Sequence, residues 1–293
     1  MAPRPGYLRV AMEAEVFFDS YIPDALRQAL EYAGADGFVA SMPQLLHART
    51  HARYDNVIWN TWFTGNSEEC VATTPSGNRM VIAVHGGGIF ASPERFERLY
   101  RASVARESPD GFTGQFLAKI SEGEARELLA GRLPGGRHVP VIPYSEFRRG
   151  CKGLPRCYAV ALDFKSAAAS PSGLLAFDAL RDHPLMVIRA GGPEAADAYL
   201  EKAQRRHNTS LMGNWHHYRI IDPDQPQARI TYLGGNQGGK GGADDNGKVW
   251  GYDSDYGLAG DVADHNTIML NFARYVGVAR ESPSASLRDL PFS

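Results

Sequence analysis

Apolar and polar residues alternate along YLRVAMEAEVFF (7–18), the period-two pattern of a strand. The period then changes. In SYIPDALRQALEYAGADG (20–37), Leu26, Leu30 and Ala33 share one helical face, Pro23 sits near the first turn, and Gly34 or Gly37 ends the helix. NVIWNTWF (56–63) is β-branched and aromatic and predicts a strand. TTPSGN (73–78) is a turn, and RMVIAV (79–84) is an apolar run too short for a helix, hence a buried strand. Ser92, Pro93 and Glu94 open a helix as cap, first-turn proline and favourable carboxylate.

SEGEARELLAG (121–131) carries a capping box on Ser121 and Glu124, with Gly131 as its stop. HVPVIPYSEF (138–147) is extended and interrupted by prolines, which suits an edge strand or a loop, and CYAVALDF (157–164) is a strand. In HPLMVIRAGGPEAADAYLEKAQRR, Leu185–Ile188 reads as another buried strand, ending at Gly191-Gly192 before a helix at Pro193. Two strand–Gly-Gly–helix units, at 80–104 and 185–206, predict an α/β (or α+β) fold with a mixed sheet covered by helices. ARITYLGG (228–235) adds a strand, 234–247 is a glycine-rich loop, and a helix begins near Asp264, alone or followed by a short strand. Residues 280–293 read as a surface strap, and with no convincing linker the expectation is one globular domain over 1–293.

Charge narrows the partners. With 31 basic and 33 acidic residues interspersed, no broad field attracts a phosphate backbone, so nucleic acid is not expected. No apolar stretch approaches the roughly 20 residues of a membrane span, and the first residues lack the pattern of a signal peptide. Three cysteines, Cys70, Cys151 and Cys157, argue against a disulfide framework and for a cytoplasmic setting.

Candidate chemistry centres on His85-Gly86-Gly87-Gly88. Glycines after a strand leave backbone N–H groups open to a carbonyl oxygen or an anion. The segment resembles the HGGG oxyanion-hole motif of lipases and esterases of the α/β-hydrolase fold, which would make the amides of Gly86, Gly87 and Gly88 the oxyanion donors. That family also needs a Gly-x-Ser-x-Gly elbow downstream, and nothing after Gly88 matches it, so a serine hydrolase of that type is not expected. The plainer alternative is that the glycines permit close packing and positive φ.

Glu68, Glu69 and Cys70 end a stretch that could neighbour His85. A Cys–His pair would make a nucleophile and a Glu–His pair an acid–base couple. The leading expectation is therefore a hydrolase or acyl-type transferase acting on a small polar or anionic substrate. His85 would be its acid–base residue, Cys70 its nucleophile and Glu69 the orienter or alternative base. His216, Arg219 and Lys240 would complete the pocket with Gly86–Gly88. The alternative is a non-catalytic ligand-binding or self-assembling protein, a homo-oligomer in the latter case. A second alternative is a divalent-metal enzyme using His217, Asp253, Asp255, Asp264 and His265. These residues lack EF-hand or HExxH spacing, and neither a P-loop nor a GxGxxG turn is present, so no cofactor is expected beyond such a metal. Trp59, Trp62, Trp215, Tyr218, Tyr232, Trp250, Tyr252 and Tyr256 are either core or pocket lining.

Overall fold

The strand Phe63–Thr73 (β3) is buried along almost its whole length, although its residues alternate between the two faces of a sheet. Both faces must therefore be covered, and the architecture follows from that. The computed structural model describes residues 12–19, 21–59, 61–104, 112–113, 117–207, 211–216, 218–219, 221–234, 258–259 and 273–280. β3 pairs antiparallel with Arg79–His85 (β4) and, on its other side, with Gln227–Leu233 (β11). The main sheet extends from β4 through Tyr158–Asp163 (β8) to the edge strand Val141–Pro143 (β7), which lies parallel to β8. Beyond β11 it continues through Leu258–Ala259 (β12) and Leu211–Trp215 (β10) to Gly173–Ala176 (β9). Phe112–Thr113 (β5) and Leu117–Lys119 (β6) attach at the start of β11. A separate three-stranded sheet joins Met12–Asp19 (β1), Ala273–Arg280 (β13) and Phe38–Val39 (β2).

One face of the main sheet presents Val71, Val81, Ala83 and Val160 to the helices Met42–His51 (α2), Pro184–Ala190 (α8) and Pro193–His207 (α9). The opposite face presents Cys70, Ile82, Val84 and Ala228 to Ile22–Ala33 (α1), Pro93–Val104 (α3) and Glu122–Leu129 (α4). The short helices Tyr144–Phe147 (α5), Phe164–Ala169 (α6) and Phe177–Arg181 (α7) complete the set described. The fold is α+β, a mixed sheet with helices on it. Among the described residues no helix is long and apolar enough to cross a membrane.

Three expected elements change. Leu185–Ile188 is helix, not strand, so only the unit at 80–104 has the strand–Gly-Gly–helix form. Pro184 begins α8, the His183 ring caps it, and Gly191 ends it at φ 90°. Every residue from Leu185 to Ala190 is buried, and a helix buried all round carries no amphipathic period to reveal it. NVIWNTWF supplies a single 3-10 turn, Val57–Trp59, and β3 starts only at Phe63. The helix expected from Asp264 falls outside the described residues as far as 272, after which Ala273–Arg280 is strand.

Candidate functional site

β3 and β4 are neighbours, as the Cys–His expectation required, but their register separates the pair. Ser67 lies opposite His85, so the His85 side chain shares a face with Ser67 and Glu69, while Glu68 and Cys70 point to the other face. No nucleophile–base contact between Cys70 and His85 can form across the sheet. Ser67 Oγ accepts from the Met42 amide at 2.9 Å, which leaves its hydroxyl proton for His85 Nδ1 at 2.9 Å. The His85 proton then sits on Nε2, which is buried, with the Ile188 backbone as its neighbour. Burial pushes the His85 pKa down to about 4, so the ring is neutral at neutral pH. Burial, with Glu68 close by, raises the Cys70 thiol well above its ordinary range. It is an inert core thiol.

The glycine turn is occupied from within the chain. The Ile89 and Phe90 amides donate to Glu68 Oε1 and Oε2 at 2.9 and 3.0 Å. The Gly86 amide donates to the Asn66 carbonyl at 2.8 Å. Of the donors expected to hold an oxyanion, Gly86 is thus spent on the backbone, and the amides that hold a carboxylate of β3 are those of the two residues after the glycines. Gly88 has φ 112°, and a Cβ there would stand 2.2 Å from Glu68 Cδ. Glycine is needed because the carboxylate passes through the space a side chain would fill. Burial raises the Glu68 carboxyl to about 7 against the opposing pull of those two amides. Gly88→Ala is expected to lower the unfolding free energy by at least about 2 kcal/mol, since positive φ and overlap act together. Urea unfolding checks it, and a change below about 0.5 kcal/mol would contradict this account of the turn.

Glu69 is equally committed. Arg189 on α8 grips it with two bonds, Nε to Oε1 at 2.6 Å and Nη2 to Oε2 at 3.0 Å, and Tyr218 Oη donates to Oε2 at 2.5 Å. Burial alone would raise this carboxyl, but the Arg189 charge and the bonds from Arg189 and Tyr218 hold it at about 2. Arg189 Nη1 continues to Asn214 Oδ1 at 2.7 Å and to the Trp215 carbonyl at 3.1 Å. Asn214 Nδ2 donates to His183 Nδ1 at 3.0 Å, and His183 Nε2 donates to the Pro171 carbonyl at 2.8 Å. His216 Nε2 reaches the same carbonyl at 3.1 Å. Burial pushes both His183 and His216 down to about 4. This chain of bonds ties β3, α8 and β10 together in the core.

Arg219, expected in the pocket, instead donates to the Ala168, Ala169 and Ser170 carbonyls at 3.0, 3.4 and 3.3 Å, closing the end of α6. Lys240, His217, Asp253, Asp255, Asp264 and His265 lie outside the described residues. Among the described residues no group of three or more His, Cys, Asp or Glu could hold a metal. Sequence reasoning missed Arg189 and the role of Tyr218. The available signal was a charged residue inside LMVIRA, one half of a pair whose other half is Glu69 within a strand.

No family model and no curated protein matches the chain. A solved structure does: one described as the accommodation of massive sequence variation in Nanoarchaeota by the C-type lectin fold. It is 22% identical, with 91% of this chain and 97% of that one covered, at a TM-score of 0.62. The fold is similar to the C-type lectin fold. At that identity the likeness concerns architecture. It and the geometry correct the leading expectation from the same direction. The hydrolase or acyl-type transferase fails because the fold is similar to the C-type lectin fold. It fails also because Cys70 and His85 occupy opposite faces, the Gly86 amide is bonded to Asn66, and Glu68 fills the space beside Gly88.

Proposed function

We propose that this chain is a non-catalytic binding protein, with the sequence between Leu233 and Ala273 as its recognition segment. The observation that carries the reading is the likeness to a C-type lectin fold described as accommodating massive sequence variation. Two further features support it. β12 pairs with both β10 and β11, so this stretch is rooted in the main sheet at Leu258 and Ala259. The residues around it, WGYDSDYG (250–257), combine rigid aromatic groups with glycine and short polar side chains, the composition of binding loops. The three free cysteines support a cytoplasmic setting.

The test is a screen of the full chain on peptide and glycan arrays, followed by affinity measurement on the best ligand. The triple variant Trp250→Ala, Tyr252→Ala, Tyr256→Ala is expected to weaken binding by about 100-fold or more without lowering Tm, because aromatic anchors carry most interface energy. Recovery of the ligand in chemically altered form would overturn the reading, and so would full affinity in the variant.

A further inference from the structure

The outer side of the glycine turn forms one wall of a cleft of about 420 Å³, the size of a small-molecule site. Two arginines line it, Arg137 and Arg156, and no carboxylate side chain is among its described lining residues. Neither guanidinium is ion-paired among the described residues. Each is instead positioned by neutral partners. Arg156 lies over the Phe38 ring at 4.4 Å and donates to the Gly37 carbonyl at 3.0 Å. Arg137 sits on a tight turn, where the Leu133 amide donates to its carbonyl at 2.8 Å, and its Nη1 reaches Cys157 Sγ at 3.2 Å. The Cys157 thiol in turn donates to the Gly86 carbonyl at 3.0 Å. Because Arg156 and Cys157 are consecutive and Arg137 is tied to Cys157, both positive charges are held at the same cleft.

The rest of the cleft is chemically different. Leu30, Val39 and Leu133 supply apolar surface, and Gly86 and Gly87 supply a wall without side chains. That wall is enforced by packing, since a Cβ on Gly86 would meet the Arg156 carbonyl at 2.7 Å and one on Gly87 would meet Leu133 at 2.6 Å. Glu68 lies behind Gly88 with its oxygens taken by amides, so it does not neutralise the arginines by pairing. A guanidinium fork matches carboxylate and phosphate oxygens, and one already ordered by a ring and a carbonyl loses little freedom on binding them. We propose that the cleft binds a small organic anion, a carboxylate or phosphate monoester with a short apolar or aromatic tail. The anionic group binds at Arg137 and Arg156, and the tail lies on Leu30, Val39 and Leu133. This site is independent of the recognition segment proposed above.

The experiment is calorimetric titration of the full chain at low salt with phenyl phosphate and phenylacetate, against inorganic phosphate and benzyl alcohol. At least one of the two tailed anions is expected to bind with a submillimolar Kd, and each of the two half-ligands about tenfold or more weaker. Whichever tailed anion binds more tightly identifies the anionic group. Arg137→Ala and Arg156→Ala are each expected to weaken it about tenfold with Tm unchanged. If Arg156→Ala does not fold, Arg156→Lys is expected to show the loss, because a lysine keeps the charge without the fork. The bound anion is also expected to slow alkylation of Cys157 by iodoacetamide while leaving Cys151 unaffected. Absence of binding by both tailed anions, equal binding of benzyl alcohol, or full affinity in the arginine variants would overturn the proposal. The triple aromatic variant should bind the anion normally, so failure here is distinguishable from failure of the recognition segment.

Discussion

An Arg189→Met variant is expected to lose about 3 to 5 kcal/mol of unfolding free energy at pH 7, the usual cost of removing one partner from a buried ion pair. Both side chains of the Glu69–Arg189 pair are fully buried, at 0% exposure. Without the guanidinium, Glu69 keeps one hydrogen bond, from Tyr218, and the more distant charge of Arg229, which also favours its ionised form. That residual support places the loss toward the lower end of the range. Adding Glu69→Leu to the same chain is expected to recover a good part of it, because the isolated buried charge and not the lost contact dominates the cost. Urea unfolding of the two single variants and the double variant measures the coupling. A loss below about 1 kcal/mol in Arg189→Met would mean that Glu69 is solvated or protonated in the fold. An orienting carboxylate in a hydrolase would affect turnover. Glu69 as found here affects the stability of the whole sheet.

What the sequence disclosed was mostly local. The capping box at Ser121 and Glu124 forms with both of its bonds, and Gly34 does end α1 at φ 62°, because the atoms involved lie within a few residues of each other. The hairpin of β3 and β4 was half legible. Their adjacency follows from the TTPSGN turn, and the turn also sets the register: Thr73 faces Arg79, so counting outward brings Ser67 and not Cys70 opposite His85. The parity that rules out the Cys–His pair could thus have been counted. The occupant of the glycine turn is harder to foresee, since Glu68 reaches Ile89 across 21 residues and only the folded strand pair places it there. Arg189 is harder still, 120 residues from Glu69 and set in an apolar run whose period distinguishes neither helix nor strand.

Acidification should unfold this protein well before its carboxylates are exhausted. His85, His183 and His216 are each held neutral by burial with pKa values of about 4. In the unfolded chain the same rings titrate at about 6.5, so between pH 6.5 and 4 the unfolded state binds more protons and stability falls as pH falls. Glu68 acts with the opposite sign. Its carboxyl takes up a proton near pH 7 in the fold and only near 4.5 when exposed, so it stabilises the fold as pH falls through that window. Three histidines against one glutamate leave about two extra protons on the unfolded chain near pH 5, a slope of about 2 to 3 kcal/mol per pH unit. Below about 4.5, Glu69 adds to the loss as the unfolded chain protonates while the paired carboxylate, at about 2, resists. Urea midpoints at pH 6.5, 5.5 and 4.5 are expected to drop steeply, with a loss of about 5 kcal/mol across that interval. That is comparable to the whole stability of many domains. A flat or rising profile would mean that the rings are solvated and free to titrate, which would reopen them to acid–base work. A steep fall marks them as neutral struts, consistent with a binding scaffold.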